Sequence, residues 1–125
     1  LRRALYYPLT VSSNKNDLER VLKLVGLEKF IVKLDAIDDW SRILSLGEQQ
    51  RLAFARILLV KPAWVFLDEA TSALDEPREQ EMYKLLQQEL PQTAIISVGH
   101  RSTLFANHKI ELHLAGDGSW QERNI

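Results

Sequence analysis

Two neighbouring carboxylates, Asp68 and Glu69, follow the short apolar run Trp64-Val65-Phe66-Leu67. A bulky, continuous apolar run of this kind suits a strand covered on both faces in a parallel sheet. Ligands of open α/β sheets gather at the carboxyl ends of the strands. A carboxylate within hydrogen-bond reach of a water there can orient or deprotonate it, so Glu69 is a candidate general base, with Asp68 beside it at the strand tip. An acidic strand end is also an ordinary solvated turn, and the pair alone defines no activity. The second chemical feature is Ser45-Leu46-Gly47-Glu48, a Ser-x-x-Glu capping box in which hydroxyl and carboxylate satisfy backbone donors at a helix start. The first turn leaves N–H groups and a positive dipole end pointing outward, and Gly47 has no side chain to obstruct a close approach, so this end suits a phosphate. Capping boxes also open many helices that bind nothing. The third feature is His100, which follows Gly99 after Thr93–Val98, a segment that reads as a second buried strand. A lone His is more often a structural hydrogen-bonder than a ligand. If the two apolar segments pair as parallel strands, however, its tip neighbours Asp68-Glu69, which makes it a candidate phosphate or water contact.

The elements that must position these residues can be read along the chain. From Leu52 to Leu59 every residue except Arg56 is apolar, the pattern of a helix buried on most sides, and Lys61-Pro62 ends it. Asp75-Glu76-Pro77 starts a further helix, with Pro in the first turn where no donor is needed. Met82, Leu85, Leu86 and Leu90 give that helix an apolar face, and Pro91 stops it. Strand, helix and strand in this order form a right-handed βαβ unit. Upstream, Asn16-Asp17 precedes Leu18, Val21, Leu22 and Val25 at helical spacing, with Gly26 as the stop. Tyr6, Tyr7, Phe30 and Trp40 fit core packing better than a docking surface. At the other end, Lys109–Leu114 alternates like a half-buried strand, and Gly116-Asp117-Gly118 offers a turn into Ser119–Glu122, so a terminal hairpin is expected.

Taken together, the motifs resemble those of an ABC-type ATPase. Leu44-Ser45-Leu46-Gly47-Glu48-Gln49-Gln50-Arg51 resembles the signature motif, Trp64 to Glu69 the Walker B strand, Ser72-Ala73-Leu74-Asp75 the D-loop, and Ser97-Val98-Gly99-His100-Arg101 the H-loop. Leu46 and Glu48 depart from the commonest Leu-Ser-Gly-Gly-Gln form. The Leu-Gly-Glu-Gln-Gln wording, Asp39-Trp40 before it and Asp117-Gly118-Ser119-Trp120 near the end are similar to bacterial exporters that are relatives of the peroxisomal fatty-acyl transporters. The resemblance implies an α/β fold that is part of a P-loop NTPase, with parallel strands flanked by helices and an α-helical signature subdomain. Residues 1–60 would be the helical subdomain and signature helix, and residues 61–125 the Walker B, D-loop and H-loop part of the ATPase core. It further implies ATP and Mg²⁺ as cofactors and two ATPase domains stacked head to tail, one ATP lying between the phosphate loop of one domain and the signature helix of the other. On that matching Ser45, Gly47 and Gln49 touch the γ-phosphate across the interface, with Leu46 and Glu48 in the same nucleotide-facing signature, while Asp68 helps hold Mg²⁺, Glu69 polarises the water, His100 bridges the γ-phosphate, the water and the partner's D-loop, and Asp75 lies in the interface.

The Gly-rich phosphate loop with its Lys-Ser/Thr is not found in the 125 residues. With Leu1-Arg2-Arg3-Ala4-Leu5-Tyr6-Tyr7-Pro8 resembling the stretch after the Gln loop of these exporters, the chain is expected to be a fragment that does not hydrolyse ATP by itself. Its bare sheet edge is expected to make it self-associate or fold marginally. The resemblance implies a transmembrane domain as a second partner and a place on the cytoplasmic face of a membrane, a bacterial inner membrane, reached through that domain. The alternative is a stand-alone truncated module that docks on a partner ATPase without hydrolysing anything. With 16 basic and 17 acidic residues and a net charge of −1, electrostatics gives no case for nucleic acid as a partner. The absence of cysteine excludes a disulfide framework and thiol chemistry.

Overall fold

A computed structural model of the chain describes residues 1–6 and 14–125; Tyr7 and Pro8 lie outside the described residues. The first half is helical: α1 (Arg2–Tyr6), α2 (Lys15–Leu24), a 3₁₀ segment at Glu28–Lys33, α3 (Trp40–Ile43) and α4 (Leu46–Val60). Helix α2 starts just ahead of the expected Asn16-Asp17. Asn14 is its N-cap and accepts a hydrogen bond from the Asp17 N–H at 2.9 Å. Leu18, Val21 and Leu22 form its buried stripe. It ends as the sequence suggests, with Gly26 at φ 70° and the Gly26 and Leu27 N–H groups returning to the Lys23 and Leu22 carbonyls. That pair of bonds is a Schellman cap, which needs a residue tolerant of the left-handed region at Gly26.

Helix α4 is the spine of the chain. Leu52, Phe54, Ala55 and Leu58 are buried in it, whereas Ala53 and Val60 are exposed, so it is sunk along one broad side and not on nearly all of them. Lys61 closes the helix in the left-handed conformation, φ 51° and ψ 56°, ahead of Pro62. Tyr6, Phe30 and Trp40 are core residues, and the Phe30 and Trp40 rings meet edge to face at 6.0 Å.

The second half contains β1 (Trp64–Asp68), α5 (Glu76–Glu89), β2 (Ala94–Val98), a 3₁₀ segment at Ser102–Asn107, β3 (Ile110–Leu114) and β4 (Trp120–Asn124). Strands β1 and β2 pair in parallel, from Trp64 opposite Ala94 to Asp68 opposite Val98. The βαβ order is as expected, but coverage of β1 on both faces is not, nor is burial of β2, which holds no fully buried residue and leaves Ile96 and Val98 exposed. Val65 and Leu67 are buried while Trp64 and Phe66 are 63% and 74% exposed, so helices cover one face only. The run is apolar throughout, and this alternation leaves no trace in residue type. Strands β3 and β4 form the expected antiparallel hairpin as a separate two-stranded sheet, but the half-burial read from the alternation is absent, with Ile110, Leu112 and Leu114 all exposed. Its turn is fixed by Asp117, whose carboxylate accepts from the Ser119 N–H and hydroxyl at 2.9 and 2.6 Å. A single continuous core joins the halves: Leu5, Leu22, Phe54, Leu58, Met82 and Leu86 all lie in it.

Candidate functional site

The start of α4 is built as its capping box dictates. The Ser45 hydroxyl accepts from the Glu48 N–H at 3.2 Å, and the Glu48 carboxylate accepts from the Ser45 N–H at 2.9 Å. The other Glu48 oxygen lies 2.5 Å from Lys29 Nζ. The Lys29 ammonium, and then the Ser45 backbone donor, hold the Glu48 carboxyl below its usual range. Gln49, expected from the resemblance to reach a γ-phosphate, is instead turned inward, its amide donating to the Ser41 and Leu44 carbonyls at 3.0 and 3.1 Å. Leu46 is 61% exposed at the open end. Of the five residues from Ser45 to Gln49, then, Ser45, Leu46 and Gly47 present the helix end, and the polar groups of Glu48 and Gln49 brace it.

The Asp68-Glu69 pair sits at the carboxyl tip of β1, as the strand pattern requires. Asp68 is exposed and ends the β1–β2 pairing. Glu69 has φ 48°, a left-handed conformation that costs a residue with a Cβ about 1–2 kcal/mol. Its backbone is held from both sides: its N–H donates to Val98 at 2.9 Å, and its carbonyl accepts from Ser72 at 3.1 Å. The His100 ring stands at the tip of β2 with Nε2 3.5 Å from Glu69 Oε1. Parallel pairing thus brings His100 to the Glu69 carboxylate. Among the described residues no group of three or more His, Cys, Asp or Glu side chains could hold a metal ion. Mg²⁺ is commonly bound through one or two carboxylates plus substrate phosphates, so Asp68 suits a cation that arrives with a nucleotide.

The loop from Glu69 to Asp75 connects these pieces. Asp75 caps α5 by accepting from the Arg78 N–H at 3.0 Å. Ser45, Gly47, Glu48, Ala73, Leu74 and Asp75 line one cleft of about 180 Å³ between the α4 start and the loop. Gly47 matters on this side as well, because a Cβ there would lie 3.3 Å from the Ala73 carbonyl oxygen.

Three residues of this frame were not singled out by sequence reasoning. Gln50 reaches from α4 into the loop, with its amide bonded to Glu69, Ser72 and Ala73. Glu79 is fully buried in α5 and accepts from the Thr71 hydroxyl at 2.5 Å, from the Thr103 hydroxyl, and from Arg101 Nη1 at 3.2 Å. The same Arg101 nitrogen donates to the Thr71 and Leu74 carbonyls at 3.1 and 2.9 Å. The only advance signal was that Glu79 falls among the apolar positions of α5, three residues before Met82. Gln50 and Arg101 lie within the signature-like and H-loop-like runs, but nothing in those runs announces these contacts, since both act across the fold.

A parallel βαβ unit with carboxylates and a histidine at its tips, set beside a capped helix end, fits part of a P-loop NTPase core. Comparison with known proteins agrees: a family model described as ABC transporter matches residues 3–72, and the chain belongs to that family. An uncharacterized ABC transporter ATP-binding protein of Haemophilus influenzae is 54% identical over 97% of this chain and 21% of its own length. The lysosomal cobalamin transporter ABCD4 of Homo sapiens is 42% identical over 95% of this chain and 20% of its length. The inner membrane ABC transporter ATP-binding protein YddA of Escherichia coli is 38% identical over 81% and 18%. The chain therefore spans about one fifth of the length of these relatives. The α/β architecture and the likeness to the peroxisomal-type branch both agree with the sequence analysis. No helix among the described residues is long and apolar enough to cross a membrane.

Proposed function

We propose that these residues are the signature, Walker B, D-loop and H-loop part of the ATP-hydrolysing domain of an ABC exporter, which couples ATP hydrolysis to moving a substrate across a membrane. The observation that carries this reading is the 3.5 Å approach of His100 to Glu69 at the sheet tip, beside a helix end whose cap is complete. In this reading residues 1–60 are the helical subdomain and residues 61–125 belong to the ATPase core. Ser45, Leu46 and Gly47 offer the end of α4 to the γ-phosphate of an ATP held by a second ATPase domain, and Glu48 and Gln49 keep that end in place. Asp68 helps hold Mg²⁺, which neutralises phosphate charge when bound. Glu69 orients and deprotonates the attacking water, His100 fixes that water and the phosphate, and Asp75 faces the partner domain. A transmembrane domain completes the transporter and places this part on the cytoplasmic face of a bacterial inner membrane.

The 125 residues do not turn over Mg-ATP on their own in this account, because backbone donors and a lysine of a phosphate loop are needed to grip the β- and γ-phosphates. The test is Mg-ATP hydrolysis by this chain and by a longer polypeptide of the same reading frame that includes a phosphate loop. Activity confined to the longer protein and abolished by Glu69→Gln is the expected outcome. Hydrolysis by the short chain, or hydrolysis indifferent to Glu69→Gln, contradicts it.

A further inference from the structure

The geometry points to Gln50 as a positioning residue for Glu69, an assignment that rests on the role just proposed for Glu69. Gln50 Nε2 donates to the Glu69 carbonyl at 3.2 Å and to the Ser72 hydroxyl at 2.9 Å, while Oε1 accepts from the Ala73 N–H at 3.0 Å. The amide orientation follows from the partners, because the Ala73 N–H can only donate and the Glu69 carbonyl can only accept. Both amide hydrogens and the oxygen of one half-buried side chain are thereby committed to a single loop.

The loop needs that commitment. Glu69 sits in the left-handed region at φ 48°, and such a conformation persists in a residue with a Cβ only when its surroundings over-determine it. On the N–H side β2 supplies the restraint through Val98. On the carbonyl side the restraints are the Ser72 N–H, which belongs to the same turn, and Gln50, which belongs to another element. Gln50 is therefore the side chain that ties the Glu69 carbonyl to the rigid helix α4. It also fixes Ser72 and Ala73, which precede Asp75. Removing it frees the peptide after Glu69 to rotate and swings the carboxylate away from the position beside His100.

Gln50→Glu separates the parts of this role. It is nearly isosteric and keeps an acceptor for the Ala73 N–H, but it sets a carboxylate oxygen against the Glu69 carbonyl in place of a donor. In the ATP-hydrolysing polypeptide both Gln50→Ala and Gln50→Glu are expected to lower kcat by about ten- to a hundredfold, the effect of misplacing a reacting group by around an ångström. KM for ATP stays near the wild-type value, since Gln50 touches no nucleotide in this arrangement. A second readout needs no activity. In the 125-residue chain, hydrogen exchange at the Ala73 amide should rise in Gln50→Ala and stay slow in Gln50→Glu, with α4 unchanged in both. Wild-type kcat in both variants overturns the assignment, as does a rise in KM matching the fall in kcat, or Ala73 exchange indifferent to Gln50→Ala. Glu69→Gln is assayed in parallel. If that variant hydrolyses ATP normally, the role of Glu69 fails; if it is dead while the Gln50 variants are normal, only the present inference fails.

Discussion

The long helices of the chain and its strands differ in how many of their large apolar side chains they bury. In the helices and the turns between them, Leu5, Leu18, Leu22, Leu27, Phe54 and Met82 are all fully buried, because α1, α2, α4 and α5 close around one another. In the strands, Trp64, Phe66, Val98, Leu112, Leu114 and Trp120 are all more than half exposed. Helices satisfy their backbone groups internally and need only a neighbouring stripe to bury against. A two-stranded sheet leaves a face and two edges to be covered by something else. The site residues sit on the seam. Their loop is held by side chains from the finished half and from α5, while the sheet that carries Glu69 and His100 shows an open face.

Substitutions in the two kinds of element should differ in cost accordingly. The largest effect is expected in the closed half. Phe54→Ala removes a fully buried ring that meets Tyr83 edge to face at 6.3 Å, and should cost about 3–5 kcal/mol in urea unfolding. On the seam, Glu79→Ala leaves Thr71, Thr103 and Arg101 without their shared acceptor and should cost about 2–3 kcal/mol. By contrast Arg20→Ala, which breaks an exposed pair with Glu89, should cost under about 1 kcal/mol. Equal losses from Glu79→Ala and Arg20→Ala would deny the buried network any special weight.

Smaller effects follow at the α4 start. Ser45→Ala should cost about 1 kcal/mol through loss of the cap. Glu48→Gln alters the pH dependence. Lys29 and the Ser45 N–H depress the folded-state pKa of Glu48 below its unfolded value. Its contribution is therefore present above the unfolded pKa and lost as pH falls through the folded one. Unfolding midpoints of wild type and Glu48→Gln should differ at neutral pH and converge in acid; a constant difference would contradict the pairing. The smallest effect on stability belongs to the open sheet. Phe66→Ser should change stability by less than about 0.5 kcal/mol while reducing self-association of the chain in sedimentation. A monodisperse wild-type monomer would show that the open face does not drive association.

Much of this arrangement was legible in the residues. Ser45 with Glu48, Asp75 with Pro77, and Gly26 after an apolar stripe are local signals, because a cap is made within one turn of chain. The alternation of Lys109–Leu114 and the glycines after it also foretold the hairpin. What escaped notice was long-range or alternating within an apolar run. Nothing in Trp64-Val65-Phe66-Leu67 distinguishes the buried from the exposed face, and nothing near Gln50 announces that its amide ends on a loop beginning at residue 69. Arg51 is similar: it donates to the Val25 and Gly26 carbonyls at 3.1 and 2.7 Å, closing the end of α2 from a distant helix. Side-chain bonds between elements depend on the finished packing, which local patterns do not carry.

In the proposed head-to-tail pair, the α4 start and the Glu69 carboxylate of one copy serve different ATP molecules. The most direct test mixes two inactive variants of the ATP-hydrolysing polypeptide, Ser45→Arg, which blocks the helix end, and Glu69→Gln, which removes the base. In a mixed pair one site combines the intact Glu69 of the first variant with the intact Ser45 of the second, so mixing should restore part of the hydrolysis that neither variant shows alone. A mixture as inactive as its components, with mixed pairs verified to form, would place Ser45 and Glu69 on the same nucleotide and contradict the account.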